Sequence, residues 1–161
     1  MNSQFRLSRC PVADELTKEY MEAQIRDYFE ACNSGDPERI AKYFESDAVH
    51  YFPPGMYNGP FRGARTIGER WQQFVKTIGS YWTVDRVLCD PALRQAVIEW
   101  THFKRKDGKI LRGAEWYIFS ERGRIAEIRA YYASPQDPSL ERLELGGFDY
   151  EKLGYPMKLP K

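Results

Sequence analysis

The chain has 161 residues, of which 42% are hydrophobic and 15% aromatic, so it is the size of one domain with a single substantial core. The formal net charge is +1, and acidic and basic residues are interspersed, which argues against the one-signed surface of a nucleic-acid-binding protein. No apolar run approaches the roughly 20 residues that span a bilayer, and the N-terminus lacks an apolar segment of signal-peptide length. We therefore expect a cytoplasmic protein without nucleic-acid or membrane partners.

The cysteine pattern gives no sign of a metal centre. Cys10, Cys32 and Cys89 are far apart and form no CxxC pair, so neither a zinc site nor a disulfide framework is indicated. A reduced cytoplasm fits this pattern best, and we expect neither a metal nor a cofactor.

The first part of the chain is predicted to be helical. Between residues 12 and 33 the apolar positions recur at three- and four-residue steps, which is typical of one buried helical face. Gly35 suits the C-terminal cap of this helix, Asp36 suits the N-cap of the next, and Pro37 suits its first position. The second helix is predicted over about residues 37–44.

The rest of the chain is predicted to contain one more helix and five strands. The apolar spacing predicts a third helix over 64–78, and the loop at 53–60 is rich in proline and glycine. Strands are predicted at 48–52, 82–88, 95–104, 110–119 and 124–133, with glycine-containing hairpin turns at 106–109 and 121–124.

This order of elements indicates an α+β fold, in which helices pack on one face of a curved, mainly antiparallel sheet. We expect a single domain over 1–161, with a core at about 12–133. The tail at 134–161 is expected to wrap over the surface or over a neighbouring subunit.

Strand alternation selects the side chains that face the helices. The predicted inward sets are Ile98, Trp100 and His102, and Ile128, Ala130 and Tyr132. On the first strand Ala48, His50 and Phe52 share a face opposite Val49 and Tyr51. On the strand at 110–119, Glu115 shares a face with Tyr117 and Phe119, but alternation alone does not decide whether that face is inside.

Glu115 lies in the middle of an otherwise apolar strand. A carboxyl group inside a core must be paired, hydrogen-bonded or protonated, because desolvating a bare carboxylate is very costly. Two interpretations follow: a role in a ligand cavity, or a buried ion pair with Arg112 or with an arginine of the third helix. His50 and His102 are the only histidines, and both could face the same interior.

Four segments carry a resemblance to a known superfamily: Ser-Gly-Asp at 34–36, Tyr-Phe-Glu-Ser-Asp-Ala at 43–48, Phe-Arg-Gly at 61–63, and the stretch at 119–132. They resemble the nuclear transport factor 2-like proteins, which include ketosteroid isomerases and SnoaL-like polyketide cyclases. The resemblance implies a cone-shaped α+β barrel, in which a curved mixed, mainly antiparallel sheet wraps around the N-terminal helices. It also implies a homodimer, because the open face of the sheet often forms one in this superfamily.

The resemblance also suggests catalytic residues. Matched to the ketosteroid isomerases, Tyr28 falls on the tyrosine of their oxyanion hole, and Glu115 on the aspartic acid that partners it. The general-base aspartate of that family falls on Phe52, which cannot accept a proton, so steroid isomerisation is not expected. We predict that His50, two residues earlier on the same strand face, takes over as the base.

The expected function is that of a cofactor-independent SnoaL-like enzyme. It would transfer protons in an isomerisation, cyclisation or dehydration of a small hydrophobic molecule that carries a carbonyl or hydroxyl group. The residues predicted to line the substrate pocket are Phe52, Trp71, Trp100, His102, Tyr117, Phe119 and Tyr132. The alternative for Trp71, Trp100, Tyr117, Phe119 and Tyr132 is an ordinary core position. The alternatives are a non-catalytic ligand-binding or protein-interaction domain, and a hydrolase that activates water in the same cavity.

Overall fold

A computed structural model describes residues 16–53, 56–131 and 145–161. It contains three helices, α1 (Lys18–Ser34), α2 (Pro37–Ala41) and α3 (Ala64–Ile78). Its six strands are β1 (Phe44–Tyr51), β2 (Phe61–Arg62), β3 (Ser80–Asp90), β4 (Gln95–Lys104), β5 (Lys109–Phe119) and β6 (Ile125–Tyr131). Within the described ranges, no helix is long and apolar enough to cross a membrane. The predictions for Cys10 and Tyr132 lie outside these ranges.

The boundary between α1 and α2 follows the predicted capping residues. Gly35 adopts a left-handed backbone with φ of 66° and donates its N–H to the Cys32 carbonyl, which ends α1. The Asp36 side chain accepts hydrogen bonds from the backbone N–H groups of Glu38 and Arg39, at 3.0 and 3.2 Å. Because Pro37 needs no N–H partner at the first helical position, α2 begins there.

Replacing Asp36 with alanine is expected to lower the free energy of unfolding by about 1 kcal/mol, because two N–H groups of α2 lose their acceptor. Chemical denaturation would measure this loss. Asp47→Ala, at an exposed position of β1, is the matched control. Equal effects of the two substitutions would contradict a capping role for Asp36.

The first strand begins earlier than the sequence predicts. β1 starts at Phe44 instead of residue 48, and α2 correspondingly ends at Ala41 instead of residue 44. The reason is tertiary: Phe44 pairs with Ile125 of β6, and Glu45 accepts a hydrogen bond from the Ser120 hydroxyl at 2.6 Å. The short strand β2 was not predicted, and it is held by pairing with β1.

The six strands form one curved, open sheet in the order β2-β1-β6-β5-β4-β3. Strands β1 and β6 are parallel, and all other neighbours are antiparallel. Register shifts between β3 and β4, between β5 and β6 and between β1 and β6 bend the sheet, as bulges do. The α+β architecture with a mainly antiparallel sheet is therefore confirmed.

One face of this sheet packs against the helices. The inward residues predicted on β4 and β6 are buried, apart from Tyr132, which is not described. On β1 the inward face carries Ala48, His50 and the half-buried Phe52. The structure also decides the open question on β5. Glu115, Tyr117 and Phe119 are buried, whereas Trp116 on the opposite face is 39% exposed.

Candidate functional site

A cavity lies between the inward face of the sheet and helices α1 and α3. Its wall consists of Tyr28, Phe29, Cys32, Phe52, Tyr57, Trp71, Trp82, Trp100, His102, Leu111 and Glu115. The empty space amounts to about 480 Å³ when the open mouth is counted, but most of it is too narrow for a water-sized sphere. A ring-bearing ligand therefore requires aromatic side chains of the wall to turn aside.

Glu115 is the only carboxyl group in this wall. Strand β5 places it on the same face as Tyr117, whose hydroxyl donates a hydrogen bond to Oε2 at 2.6 Å. The other oxygen, Oε1, lies 3.4 Å from Nε2 of His50 on β1. Among the described residues no arginine pairs with Glu115, and Arg112 bonds instead to Thr101 and to the Pro156 carbonyl. An ion pair of Glu115 with an arginine is therefore not observed among the described residues, and its one basic neighbour there is His50.

His50 is fully buried behind the cavity wall. Its ring stacks on Phe52 with centroids 4.2 Å apart and meets Trp71 edge-on at 5.3 Å. Neither ring nitrogen forms a hydrogen bond with any described residue. Buried polar groups of this kind cost about 1–3 kcal/mol each, so they need an explanation. Oε1 of Glu115 lies 3.4 Å from Nε2, and through this contact His50 can influence the cavity.

Tyr28 supplies a hydroxyl group to the cavity from α1. The hydroxyl accepts a hydrogen bond from Nε1 of Trp71 at 2.7 Å, and the Cys32 thiol lies near it on the same helix. Burial raises the pKa of Tyr28 well above its usual value, and its neighbours Cys32 and Glu115 raise it further. Tyr28 therefore keeps its proton at physiological pH and can donate it in a hydrogen bond.

His102 supplies the imidazole of the wall. Its Nε2 lies 2.8 Å from Oγ of Ser80, and its ring stacks on Trp82 with centroids 4.6 Å apart. Burial, with a smaller contribution from the positive charge of Lys104, lowers the pKa of His102 to about 3. The imidazole is therefore uncharged near neutral pH.

The structure brings most of the predicted site residues together. Tyr28, Phe52, Trp71, Trp100, His102 and Glu115 all form part of the wall. His50 lies behind Glu115, Tyr117 supports Glu115 from the core, and Phe119 is buried away from the wall. Tyr132 lies outside the described residues.

Five residues of the wall were not predicted: Phe29, Cys32, Tyr57, Trp82 and Leu111. Phe29 and Cys32 belong to the apolar stripe of the first predicted helix, and Trp82 and Leu111 fall within predicted strands, so periodicity could have found them. Tyr57 comes from the loop before β2, where no sequence pattern indicates burial. Within the described part of the chain, no group of three or more His, Cys, Asp or Glu residues could hold a metal ion.

Comparisons with known proteins agree with this architecture. A family model described as SnoaL-like domain matches residues 25–128. The chain is similar to a protein of unknown function with a cystatin-like fold from Methylobium petroleophilum PM1. That similarity has 50% sequence identity and a TM-score of 0.74, over 91% of this chain and 97% of the other. No curated protein matches the chain.

Two more distant structures share the fold. A SnoaL-like protein of unknown function from Burkholderia thailandensis E264 has 18% identity and a TM-score of 0.59, over 74% of this chain and 99% of its own. A nuclear transport factor 2-like protein of unknown function from Cytophaga hutchinsonii ATCC 33406 has 12% identity and a TM-score of 0.56, over 69% and 88%.

Proposed function

Since the chain belongs to the SnoaL-like domain family of the nuclear transport factor 2-like superfamily, we propose that it is a cofactor-independent enzyme that transfers protons on a small hydrophobic substrate. The substrate carries a carbonyl or hydroxyl group, and the reaction is an isomerisation, a cyclisation or a dehydration. One observation supports this proposal most directly: a single carboxyl group, Glu115, stands in an aromatic wall with a buried imidazole behind it.

In this proposal Glu115 exchanges the proton with the substrate. Tyr117 occupies Oε2, so Oε1 is the oxygen that remains for a substrate proton. His50 does not form part of the wall, and it acts through its contact with Oε1. This assignment reverses the roles predicted from the sequence, where His50 was the base and Glu115 a hydrogen-bond donor.

Tyr28 polarises the substrate oxygen. One lone pair of its hydroxyl is taken by the Trp71 indole, so the hydroxyl proton points to another acceptor. The neighbouring group is the Cys32 thiol, whose sulfur is only a weak acceptor. A carbonyl oxygen can therefore replace Cys32 and gain stabilisation as an enolate forms.

Replacing Glu115 with glutamine is expected to slow proton transfer by roughly 100-fold or more, because the amide keeps the shape of the side chain but cannot accept a proton. The measurement is deuterium incorporation from D₂O into cyclic ketones such as 2-tetralone, followed by NMR. Glu127→Gln is the matched control, because Glu127 pairs with Arg129 and lies outside the cavity wall. The absence of exchange with every ketone, or equal rates in the wild type and Glu115→Gln, would contradict the proposed enzyme.

A non-catalytic ligand-binding domain is the second candidate function. It is favoured by the narrowness of the cavity and by Phe52, which stands where ketosteroid isomerases have their general base. Ligand binding without deuterium exchange, unaffected by Glu115→Gln, would be the result expected from such a domain. The homodimer and the water-activating hydrolase remain predictions from the sequence.

A further inference from the structure

Ser80 and His102 form a buried pair beside the cavity. Ser80 is fully buried, and His102 is 6% exposed. The Ser80 hydroxyl lies 2.8 Å from Nε2 of His102 and has no other hydrogen-bond partner among the described residues. A buried hydroxyl proton that is left without an acceptor is costly, so Ser80 donates and Nε2 accepts.

This direction fixes the tautomer of His102. A neutral imidazole carries one proton, and if Nε2 accepts a hydrogen bond, the proton is on Nδ1. Nδ1 of His102 has no hydrogen-bond partner among the described residues. Unlike the two ring nitrogens of His50, which are completely buried, it retains some exposed surface. Ser80 takes the Nε2 edge and Trp82 one face of the ring, and His102 belongs to the cavity wall, so the Nδ1 edge and the other face remain available to the cavity.

The sheet register places this N–H group far from Glu115. Glu115 pairs with Ile98 of β4, and His102 lies four residues further along the same strand. At about 3.3 Å per residue, the two backbone positions are roughly 13 Å apart along the strand. Trp100 lies halfway between them, with its ring against Gly113, where an added Cβ would be 2.5 Å from Cζ2.

The wall between these two polar ends is apolar and carries no positive charge. The described lining residues include no lysine and no arginine, so a carboxylate or phosphate group would be buried without a countercharge. Since His102 is neutral, it offers a hydrogen bond but no ion pair. The chemistry of the cavity therefore favours an uncharged ligand.

We propose that His102 is a substrate-binding residue that donates a hydrogen bond from Nδ1, and that the ligand is an uncharged molecule with oxygen functions at both ends of an apolar body. Ser80 is the positioning residue that holds the required tautomer. The inference rests on the proposed function in one respect: the oxygen function at the end of the ligand away from His102 is the one that contacts Tyr28 and Glu115.

The tautomer is tested by ¹⁵N NMR of the histidine side chains at pH 7, with the His50→Gln variant to assign the two rings. The expected result is an Nδ1–H tautomer for His102 that reverts towards Nε2–H in Ser80→Ala. Ser46→Ala, at an exposed position of β1, is the control and should leave the spectrum unchanged. An Nε2–H tautomer of His102 in the wild type overturns the inference.

The ligand class is tested with two probes, 4-hydroxyacetophenone and 4-ethylphenol, which differ by the carbonyl oxygen. In His102→Leu the affinity for 4-hydroxyacetophenone should fall about 5- to 10-fold, the typical effect of one hydrogen bond, while that for 4-ethylphenol stays within about twofold. If His102→Leu fails to fold, Ser80→Ala takes its place, and it should reduce the preference of the protein for 4-hydroxyacetophenone over 4-ethylphenol. Equal losses for both probes, or no binding of either, overturn the inference.

These outcomes separate the inference from the proposed function. A preference for the carbonyl probe that depends on His102, together with no deuterium exchange, would support the two-ended ligand and reject the enzyme. Deuterium exchange that depends on Glu115, with no effect of His102→Leu on the binding of either probe, would support the enzyme and reject the two-ended ligand.

Discussion

Lowering the pH from 7 to 4 is expected to reduce the free energy of unfolding by roughly 3 kcal/mol through His102 alone. In the folded protein, burial and the charge of Lys104 lower the pKa of His102 from 6.5 to about 3. The unfolded chain therefore takes up this proton at a higher pH than the folded one. The stability that His102 contributes is fully present above about pH 6.5 and is lost as the pH falls towards 3.

Urea unfolding at pH 7, 5 and 4 would measure this effect in the wild type and in His102→Gln. The variant should be less stable at pH 7. Between pH 7 and pH 4, however, its free energy of unfolding should fall by roughly 3 kcal/mol less than that of the wild type. Other carboxyl groups titrate in the same range, among them Glu45, whose pKa is lowered mainly by its hydrogen bond from Arg122. These groups affect both proteins alike, so parallel curves would show that His102 is not the titrating group.

Gly68→Ala is expected to destabilise the protein by about 2–3 kcal/mol, as overpacking in a core does. A Cβ at this position would lie 2.5 Å from the carbonyl oxygen of Pro37 and 3.0 Å from its Cα. Both atoms belong to the backbone, which cannot turn aside as a flexible side chain could. The start of α2 and the first half of α3 would therefore have to separate.

Thermal unfolding with circular dichroism would measure the effect of Gly68→Ala. Helix propensity alone predicts the opposite sign, because alanine is favoured over glycine within a helix by about 1 kcal/mol. Thr66→Ala, at an exposed position of the same helix, is the control and should be neutral or slightly stabilising. A Gly68→Ala variant as stable as the wild type would show that α2 and α3 adjust without cost.

The helix and strand boundaries could be predicted wherever local chemistry decides them. Asp36 and Gly35 take the predicted capping roles, and β4 has the predicted bounds of 95–104. The start of β1 at Phe44 could not be predicted, because it depends on pairing with β6, which is distant in the sequence. Strand β2 depends in the same way on pairing with β1.

The candidate site shows the same division. Alternation along β4 was sufficient to direct Trp100 and His102 inward, because Glu99 and Thr101 make the other face more polar. It could not decide the orientation of β5, where apolar residues occupy both faces around Glu115. The face of β5 that carries Glu115 is buried because the helices cover only that side of the sheet.

The sequence by itself determined the α+β order of elements and the presence of a carboxyl group in an apolar strand, because these follow from local spacing and residue type. It indicated the superfamily through the resemblance of four segments to known proteins. Only the tertiary structure decided that Tyr117 and His50, not an arginine, are the partners of Glu115. It also decided that His102 faces the cavity while His50 lies behind its wall. The physical reason is that these contacts depend on how β1 and β5 lie in one sheet and which of its faces the helices cover.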